Sequence, residues 1–433
     1  MRKVLLLSYY WPPAGGPGVQ RWLKNVVFLR KYGWDTIVIT PENPVASSYD
    51  DSLLKEIPSD LEVHHTPARD PFRAYAMLRG KKDKQVSTGG IGLLKPKSKK
   101  QQLLNYIRAN FFIPDARKGW NPYLLKQARN VLSDGDIDAI ISTGPPHSTH
   151  LAAKQLKDEF DLPWLADFRD PWVNIFYNSF FPRTKRTKIK DQNLEDLVLN
   201  SADRILTVSP GLALEFEDRA QKVEILYNGY DPADLPAPET KKQEFFSLSY
   251  TGNFKPNQNV AALWTALAEL VVENAQIKEA LQIHFVGNID PGVRESISAC
   301  GLNSFVHDHG YQPHHYATKV MVDSSALIFI VPQTKDNNLI LTGKLFEYLG
   351  SGTPLLSIAP PEGNAAEIIQ ECKRGKSLDY KNKEGIKARI LELFGNWQKS
   401  KGFKVQEDLE PSLKYTREGS TKMLAEILNE FND

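Results

Sequence analysis

Lys344 and Glu347 are the residues of this sequence whose type and spacing point most directly to chemistry. They lie three positions apart in the segment 343–349, where apolar residues recur at helical spacing, so both, together with Tyr348, are expected on helix faces away from the core. A lysine in the first turn opposes the helix dipole unless an anion such as phosphate binds there. A glutamate one turn later can accept hydrogen bonds from both hydroxyls of a ribose. The pair therefore predicts a nucleotide site, and a solvated helix face is the alternative.

A glycine-rich turn follows the first apolar run of the chain. Gly15 and Gly16 open it, and Gly18 completes a G-x-G spacing at the start of a helical pattern. Glycines let the backbone approach a ligand closely, and the free N–H groups of a helix start attract anions. Arg21 stands where a dinucleotide fingerprint has its third glycine, which excludes that fingerprint. A ligand-binding loop and a purely structural turn both remain open.

Two further groups of polar residues follow the ends of predicted strands. His147 comes after two prolines, so we expect it to project from the strand end toward a substrate, and a capping or core role is the alternative. His150 could share a metal with it, but no third ligand is near in sequence. Asp167, Arg169 and Asp170 either grip sugar hydroxyls or neutralise one another structurally. The arginine between the carboxylates argues against a divalent metal.

Four histidines between positions 307 and 315 are the other candidate metal ligands. No cysteine lies near them, and the one nearby carboxylate, Asp308, would point to the opposite strand face. They are interpreted as surface and core residues, the last two of which begin a helix after Pro313: His307, His309, His314 and His315. No metal site is predicted.

Short apolar runs alternate with helical patterns, which is typical of doubly wound parallel sheets. Predicted strands of a first series span 3–8, 36–40, 138–143, 164–168 and 204–208, and those of a second series span 246–250, 282–286, 326–331 and 355–358. Prolines within 232–238 separate the two series. The sequence thus predicts an α/β protein with two Rossmann-like domains facing a central cleft, the first over 1–232 and the second over 233–412.

Length, charge and cysteine content narrow the class of protein. The chain has 433 residues, a formal net charge of +2 and two cysteines. This length favours more than one domain. The small net charge excludes a strong overall electrostatic field that would attract polyanions. Two cysteines provide no disulfide framework. A cytoplasmic protein is expected. No apolar run is long enough to span a membrane.

One segment carries most of the local charge. Residues 79–100 include eight basic residues and one acidic residue, and an apolar helical stripe follows, made by Leu103, Leu104, Ile107 and Phe111. A solvated loop beside a packed helix is one interpretation. The other is a peripheral contact with an anionic membrane, at its inner face.

The segment 344–349, closed by 352–356, resembles the donor-site motif of family 4 glycosyltransferases. Residues 15–16 are similar to that family's N-terminal glycine loop, and residues 250–253 to the first loop of its donor domain. Segments 143–148 and 167–172 resemble a bacterial surface-polysaccharide branch, and about 413–433 resembles the terminal helix that returns to the first domain. The resemblance covers nearly the whole chain and implies the GT-B fold.

The resemblance also implies an activity. It predicts a retaining, metal-independent transferase of hexosyltransferase type, with no cofactor and no nucleic-acid partner, that moves sugar from a nucleoside-diphosphate-sugar to a glycan or lipid-linked acceptor. Catalytic roles are expected for His147, Lys344 and Glu347. Contacts with the acceptor or sugar are expected from Asp167, Arg169 and Asp170. Donor contacts are expected from Gly15, Gly16, Asn253, Lys255, Thr342, Gly343, Lys344 and Glu347.

Three positions depart from the family pattern. Leu339 stands where many members have a glutamate that contacts the donor sugar. Asn253 and Gln258 stand where many have an arginine and a lysine that grip the diphosphate. Lys344, with Lys255, is then expected to supply the positive charge. The alternative functions are a nucleotide-sugar epimerase on the same fold and a degenerate transferase that only binds its ligand.

Overall fold

The computed structural model describes residues 1–46, 48–69, 99–175, 178, 181–238 and 242–431. It divides into two compact units: unit 1 comprises 1–228 and 420–433, and unit 2 comprises 229–419. The sequence predicted the corresponding boundaries at 232 and about 413. No helix in the described ranges combines the length and the apolar character needed to cross a membrane.

Unit 1 contains a parallel sheet of seven strands in the order β3-β2-β1-β4-β5-β6-β7. The strands are β1 (Arg2–Ser8), β2 (Trp34–Pro41), β3 (Glu62–Thr66), β4 (Ala139–Gly144), β5 (Trp164–Phe168), β6 (Arg204–Thr207) and β7 (Val223–Ile225). Leu5 and Leu7 of β1 pack into one core cluster, and Val4 and Leu6 pack into another. Because both faces of the strand are buried, its sequence is continuously apolar.

Helices cover this sheet. They are α1 (Pro17–Leu29), α2 (Lys99–Phe111), α3 (Asn121–Ser133), α4 (Ser148–Phe160), α5 (Lys185–Ser201) and α6 (Pro210–Phe216). Helix α1 is the one predicted between the first two strands, and it buries Trp22, Leu23 and Val26 against the sheet. Proline occupies its first position, and its first turn contains no acidic residue. The helix therefore begins directly after the glycines, without a side-chain cap.

Unit 2 contains a parallel sheet of five strands in the order β10-β9-β8-β11-β12. The strands are β8 (Phe246–Thr251), β9 (Leu281–Val286), β10 (Val306–Asp308), β11 (Ala326–Ile330) and β12 (Leu355–Ile358). The helices are α7 (Ala261–Glu273), α8 (Ala275–Ala280), α9 (Pro291–Ala299), α10 (His314–Asp323), α11 (Gly343–Gly350), α12 (Asn364–Glu371), α13 (Lys383–Lys399) and α14 (Arg417–Asn429), whose last ten residues belong to unit 1. The predicted α/β class with two doubly wound sheets is confirmed.

Each sheet reverses its strand order at one point, between β1 and β4 in unit 1 and between β8 and β11 in unit 2. Ligands of open α/β sheets bind beyond the carboxyl ends of the strands at such a point. Gly15 follows β1 and His147 follows β4, whereas Asn253 follows β8. The topology therefore places the predicted site residues at the positions where each fold has room for a ligand.

The two predicted strand series omit β3, β7 and β10, although the histidines at 307 and 309 were expected on a strand. All three lie at sheet edges, and their burial is partial. An edge strand has one neighbour and tolerates polar residues, so Glu62–Thr66 lacks the apolar run by which the other strands were predicted.

Candidate functional site

Lys344 occupies the first turn of α11, beside the end of β8. Its Nζ donates a hydrogen bond to Tyr250 Oη at 2.7 Å and lies 3.9 Å from the centroid of the same ring. Gly252 follows β8 with φ 90°, and a Cβ there would lie 3.1 Å from Lys344 Nζ. The glycine therefore provides both the left-handed turn and the space for the lysine head.

The surroundings of Lys344 disfavour its positive charge. Burial lowers the pKa of its ammonium to about 7, with Glu347 acting in the opposite direction and Lys255 adding to the decrease. The first turn of a helix further disfavours a cation. A cation kept under these conditions is stabilised when an anion binds beside it, which is the pattern of a functional rather than a structural lysine.

Tyr250 is fixed beneath the lysine by a buried amide. Its hydroxyl lies 3.1 Å from Gln258 Oε1, and Gln258 Nε2 donates to the carbonyl oxygen of Ile330 at 2.9 Å. Gln258 is buried, so its side chain holds Tyr250 in place beneath Lys344 and does not present a polar group to a ligand. Sequence reasoning missed this role, because nothing in the local pattern links position 258 to position 344.

The predicted placement of Tyr348 is wrong. Its side chain is fully buried, and its hydroxyl accepts a hydrogen bond from the N–H of Thr251 at 2.9 Å. Helix α11 packs on two sides, with Tyr348 against Phe329 of the sheet and Phe346 against Tyr415. A helix covered on two sides buries more than the single stripe that the sequence pattern suggests.

Glu347 is half-buried and lies one turn after Lys344. Its Oε1 lies 3.1 Å from His314 Nε2, at the start of α10, and this hydrogen bond raises the pKa of His314. Helix α10 begins at His314, as the sequence predicted. Its imidazole has a partner, Glu347, that the sequence did not indicate. The contact uses one oxygen of the carboxylate and orients the other.

The remaining predicted donor residues lie at the same end of the unit 2 sheet. Asn253 and Lys255 are exposed after β8, and Asn253 Oδ1 accepts a hydrogen bond from Asn288 at 3.2 Å. Thr342 precedes α11 without capping it through its side chain, and Gly343 is exposed. Lys344, Glu347 and this loop thus lie at the same end of the unit 2 sheet.

In unit 1 the glycine turn begins α1. Gly16 has φ 111°, and its carbonyl oxygen accepts hydrogen bonds from Val19 and Gln20, while Gly15 N–H donates to Ser48. The guanidinium of Arg169 lies against Gly18, where a Cβ would be 1.2 Å from Nη1. A side chain at position 18 would displace this guanidinium, a contact that sequence analysis did not foresee.

Arg169 and Asp170 are the accessible members of their predicted cluster. Arg169 is half-buried and donates from Nε to the carbonyl oxygen of Gly144 and from Nη2 to that of Pro145, both at 3.0 Å. Asp170 is exposed. Both side chains follow β5, next to the loop that follows β4, and they can reach a ligand at that end of the sheet.

The predicted sugar contact of Asp167 is wrong. Its carboxylate is fully buried and accepts hydrogen bonds from Arg21 Nη2 at 3.0 Å, Trp22 Nε1 at 2.6 Å and Thr143 Oγ1 at 2.8 Å. Burial lowers the pKa of Arg21, and the charge of Asp167 opposes that change. The neutralising partner is thus Arg21 of α1 rather than Arg169. A carboxylate with three internal donors has a structural role.

The expectation that His147 projects from the strand end is also wrong. Its ring is buried and stacks on Trp172, with centroids 5.0 Å apart and planes at 7°, and it lies 5.6 Å from Phe168. Burial lowers the pKa of His147 well below its usual value. The neighbouring His150 forms a hydrogen bond through Nδ1 with Ser142 Oγ at 2.8 Å, and burial lowers the pKa of this imidazole to about 3. The core alternative fits His147 better than a contact with substrate.

Metal binding has no support in the described ranges, where no group of three or more potential ligands comes together. His307 stacks on His284 with centroids 4.9 Å apart, and His284 Nδ1 lies 3.0 Å from His309 Nε2. These imidazoles contact one another and Tyr316 instead of converging on one point. Their interpretation as surface and core histidines fits this arrangement.

Comparisons with known proteins bear on the family and on the fold. Residues 92–234 match the sequence model of Glycosyltransferase Family 4. No curated protein matches the chain significantly. HepE of Anabaena in complex with UDP has a similar structure, with TM-score 0.60 and 13% identity over 99% of this chain and 100% of that one.

Two further solved structures are similar over the whole length. Sucrose-phosphate synthase of Thermosynechococcus elongatus gives TM-score 0.58 and 13% identity over 100% of this chain and 99% of that one. A putative UDP-N-acetylglucosamine 2-epimerase of Listeria monocytogenes gives TM-score 0.52 and 13% identity over 99% and 96%. At these identities the likeness concerns the fold.

Proposed function

We propose that this chain, a family 4-like glycosyltransferase of the GT-B fold, transfers a hexose from a nucleoside-diphosphate-sugar to a glycan or lipid-linked acceptor with retention of anomeric configuration. The observation that carries the proposal is Lys344, held on Tyr250 one turn before Glu347 at the strand-order reversal of unit 2. The synthesis of a polysaccharide or glycoconjugate is the corresponding cellular process.

Lys344 has the position and charge to stabilise the leaving diphosphate. As the bond between the anomeric carbon and the phosphate oxygen breaks, negative charge develops on that oxygen, and a fixed cation lowers the barrier. The acceptor hydroxyl attacks the same face of the sugar and loses its proton to the departing phosphate. Lys255, exposed after β8, adds charge on the solvent side. The site needs no metal for this role.

Glu347 has the position to bind the ribose. The contact with His314 uses one carboxylate oxygen, and a carboxylate has enough acceptor sites for a diol to donate to it as well. HepE was crystallised with UDP and with UDP-glucose, which supports a nucleoside-diphosphate-sugar as the donor.

Unit 1 is proposed to bind the acceptor. Arg169 and Asp170 offer a cation and a carboxylate at the carboxyl ends of its strands, and Arg169 lies against Gly18 of the glycine turn that begins at Gly15 and Gly16. His147 stacks behind them on Trp172 and keeps the loop after β4 in place. An acceptor carried by lipid would be presented at the inner face of an anionic membrane, where we also place the enzyme.

A screen of UDP-, GDP- and ADP-sugars tests the function, with excess chelator present throughout. Thermal stabilisation by one nucleotide-sugar should be followed by sugar transfer to glycan or lipid-linked acceptors, with retained configuration by NMR. Isomerised sugar without acceptor would instead support the epimerase. Tight binding without either product would support a degenerate transferase, and activity restored only by manganese would contradict the metal-free mechanism.

Glu347→Gln should weaken binding of the selected nucleoside diphosphate by about 10-fold, because a charge-assisted hydrogen bond is replaced by a neutral one. The matched ligand control is the 2′,3′-dideoxy nucleotide, which lacks the ribose hydroxyls. Calorimetric titration should find that the variant and the wild-type protein bind this analogue equally well. An equal loss for both ligands would contradict the ribose contact, and earlier unfolding at unchanged affinity would make Glu347 structural.

A further inference from the structure

Helix α2 presents an apolar stripe that the described residues of unit 1 do not cover. Leu103, Ile107 and Phe111 lie four residues apart, so they share one helix face, and they are 60%, 38% and 66% exposed. The sequence predicted this stripe together with Leu104, whose side chain is outside the described part of the chain. Large apolar side chains exposed in a row are typical of an interaction surface.

The start of α5 adjoins this helix. Asn110 of α2 accepts hydrogen bonds from Thr184 N–H at 2.9 Å and Thr187 Oγ1 at 2.7 Å and donates to the carbonyl oxygen of Pro182 at 3.0 Å. Arg108 lies 5.1 Å from the ring centroid of Phe181. These contacts fix the C-terminal half of α2 against the first turn of α5.

The first two turns of α5 are basic and exposed. Lys185, Arg186, Lys188 and Lys190 are exposed, and Ile189 between them is 62% exposed. The nearest acidic residue on α5, Asp191, is buried and paired with Arg183. Burial, and then the charge of Lys190, lower the pKa of Lys118, whose Nζ donates to the carbonyl oxygens of Phe111 and Ile113.

The two segments that form this region carry only positive charges. Residues 99–114 and 181–190 contain eight basic residues and no acidic residue, although the net charge of the whole chain is +2. A nucleic-acid surface would explain the cations but not the exposed apolar stripe. An anionic bilayer explains both, since apolar side chains enter the headgroup boundary while lysines and arginines contact lipid phosphates.

We infer that the exposed face of α2 and the first two turns of α5, here called the α2–α5 face, docks on an anionic lipid bilayer. The face overlaps the predicted basic segment 79–100 at positions 99 and 100, and residues 79–98 of that segment lie outside the described residues. In combination with the proposed function, on which this step rests, docking would bring the enzyme to a lipid-linked acceptor.

Vesicle co-sedimentation of the full chain tests the inference, with phosphatidylcholine vesicles and with mixed phosphatidylcholine and phosphatidylglycerol vesicles. The protein should bind only the anionic vesicles, and high salt should weaken binding. Replacing Lys185, Arg186, Lys188 and Lys190 with glutamine should reduce the partition coefficient at least about 100-fold, since each basic residue near the headgroups contributes about fivefold. Phe111→Ser should also reduce it, at unchanged charge.

The matched control replaces four exposed lysines of unit 2 with glutamine, at positions 278, 335, 376 and 381, and so makes the same change in net charge. This control should bind anionic vesicles within about twofold of wild type. An equal loss in the control, or equal binding to neutral vesicles, would overturn the inference. Self-association that Phe111→Ser abolishes, without vesicle binding, would identify a protein interface instead.

Nucleotide affinity separates this inference from the proposed function. The variants of the α2–α5 face should keep the wild-type melting temperature and bind the selected nucleoside diphosphate normally, because this face belongs to unit 1 and the donor residues belong to unit 2. If no nucleotide-sugar binds the wild-type protein but anionic vesicles do, the proposed function fails and the docking surface stands.

Discussion

Replacing Lys344 with alanine should weaken binding of the selected nucleoside diphosphate by about 10- to 150-fold, the effect of losing one charge-assisted phosphate contact. The side chain is enclosed by Tyr250 and Gly252, and no other cation among the described residues is hydrogen-bonded to Tyr250. Calorimetric titration measures the effect, and Lys335→Ala, at an exposed position before α11, is the control for charge alone. Equal losses in the two variants would contradict the role of Lys344.

The pH dependence provides a second measurement of the same residue. Burial lowers the pKa of Lys344 to about 7 in the free protein, and bound phosphate favours the charged form, so the pKa in the complex is higher. Affinity should therefore be greatest below the free pKa and fall up to about tenfold per unit as the pH rises above it. Lys344→Ala should lose this dependence, and Lys344→Arg should bind independently of pH in the same range. A slope shared by all three proteins would belong to another group.

More of the donor side than of the acceptor side could be predicted from sequence, because the donor residues lie close together along the chain. The strand, glycine turn and short helix around Lys344 are consecutive in sequence, so periodicity and helix electrostatics locate the lysine and Glu347 without long-range information. Tyr250 lies 94 positions from Lys344, and its place beneath the ammonium depends on packing that no local pattern encodes. The same applies to His314, which lies 33 positions from its partner Glu347.

Acceptor-side predictions failed where a polar residue at a strand end was assumed to face solvent. Asp167 and Asp170 are three positions apart and equally polar, yet one is fully buried and the other exposed. The difference comes from Arg21 and Trp22, which α1 brings to Asp167 from the beginning of the chain. His147 is buried because Trp172 stacks on it. Sequence patterns locate the end of the sheet, whereas tertiary contacts decide which side chains there remain free.

The buried pair of Asp167 and Arg21 leads to the largest expected change in stability. Asp167→Ala should reduce the free energy of unfolding of unit 1 by about 3–5 kcal/mol, because it leaves the guanidinium of Arg21 buried without its carboxylate. The indole N–H of Trp22 and the hydroxyl of Thr143 lose their acceptor as well. Asp170→Ala, three residues away and exposed, should change the same quantity by less than about 0.5 kcal/mol.

Urea unfolding followed by tryptophan fluorescence measures this effect, since six of the eight tryptophans belong to unit 1. The double variant Asp167→Leu with Arg21→Met replaces both charges with apolar groups, so it should be more stable than Asp167→Ala alone. If the double variant is instead as unstable as the sum of its single changes, the two residues act independently. An Asp167→Ala protein that keeps its unfolding midpoint and loses only acceptor turnover would restore the sugar-contact role that burial of this carboxylate argues against.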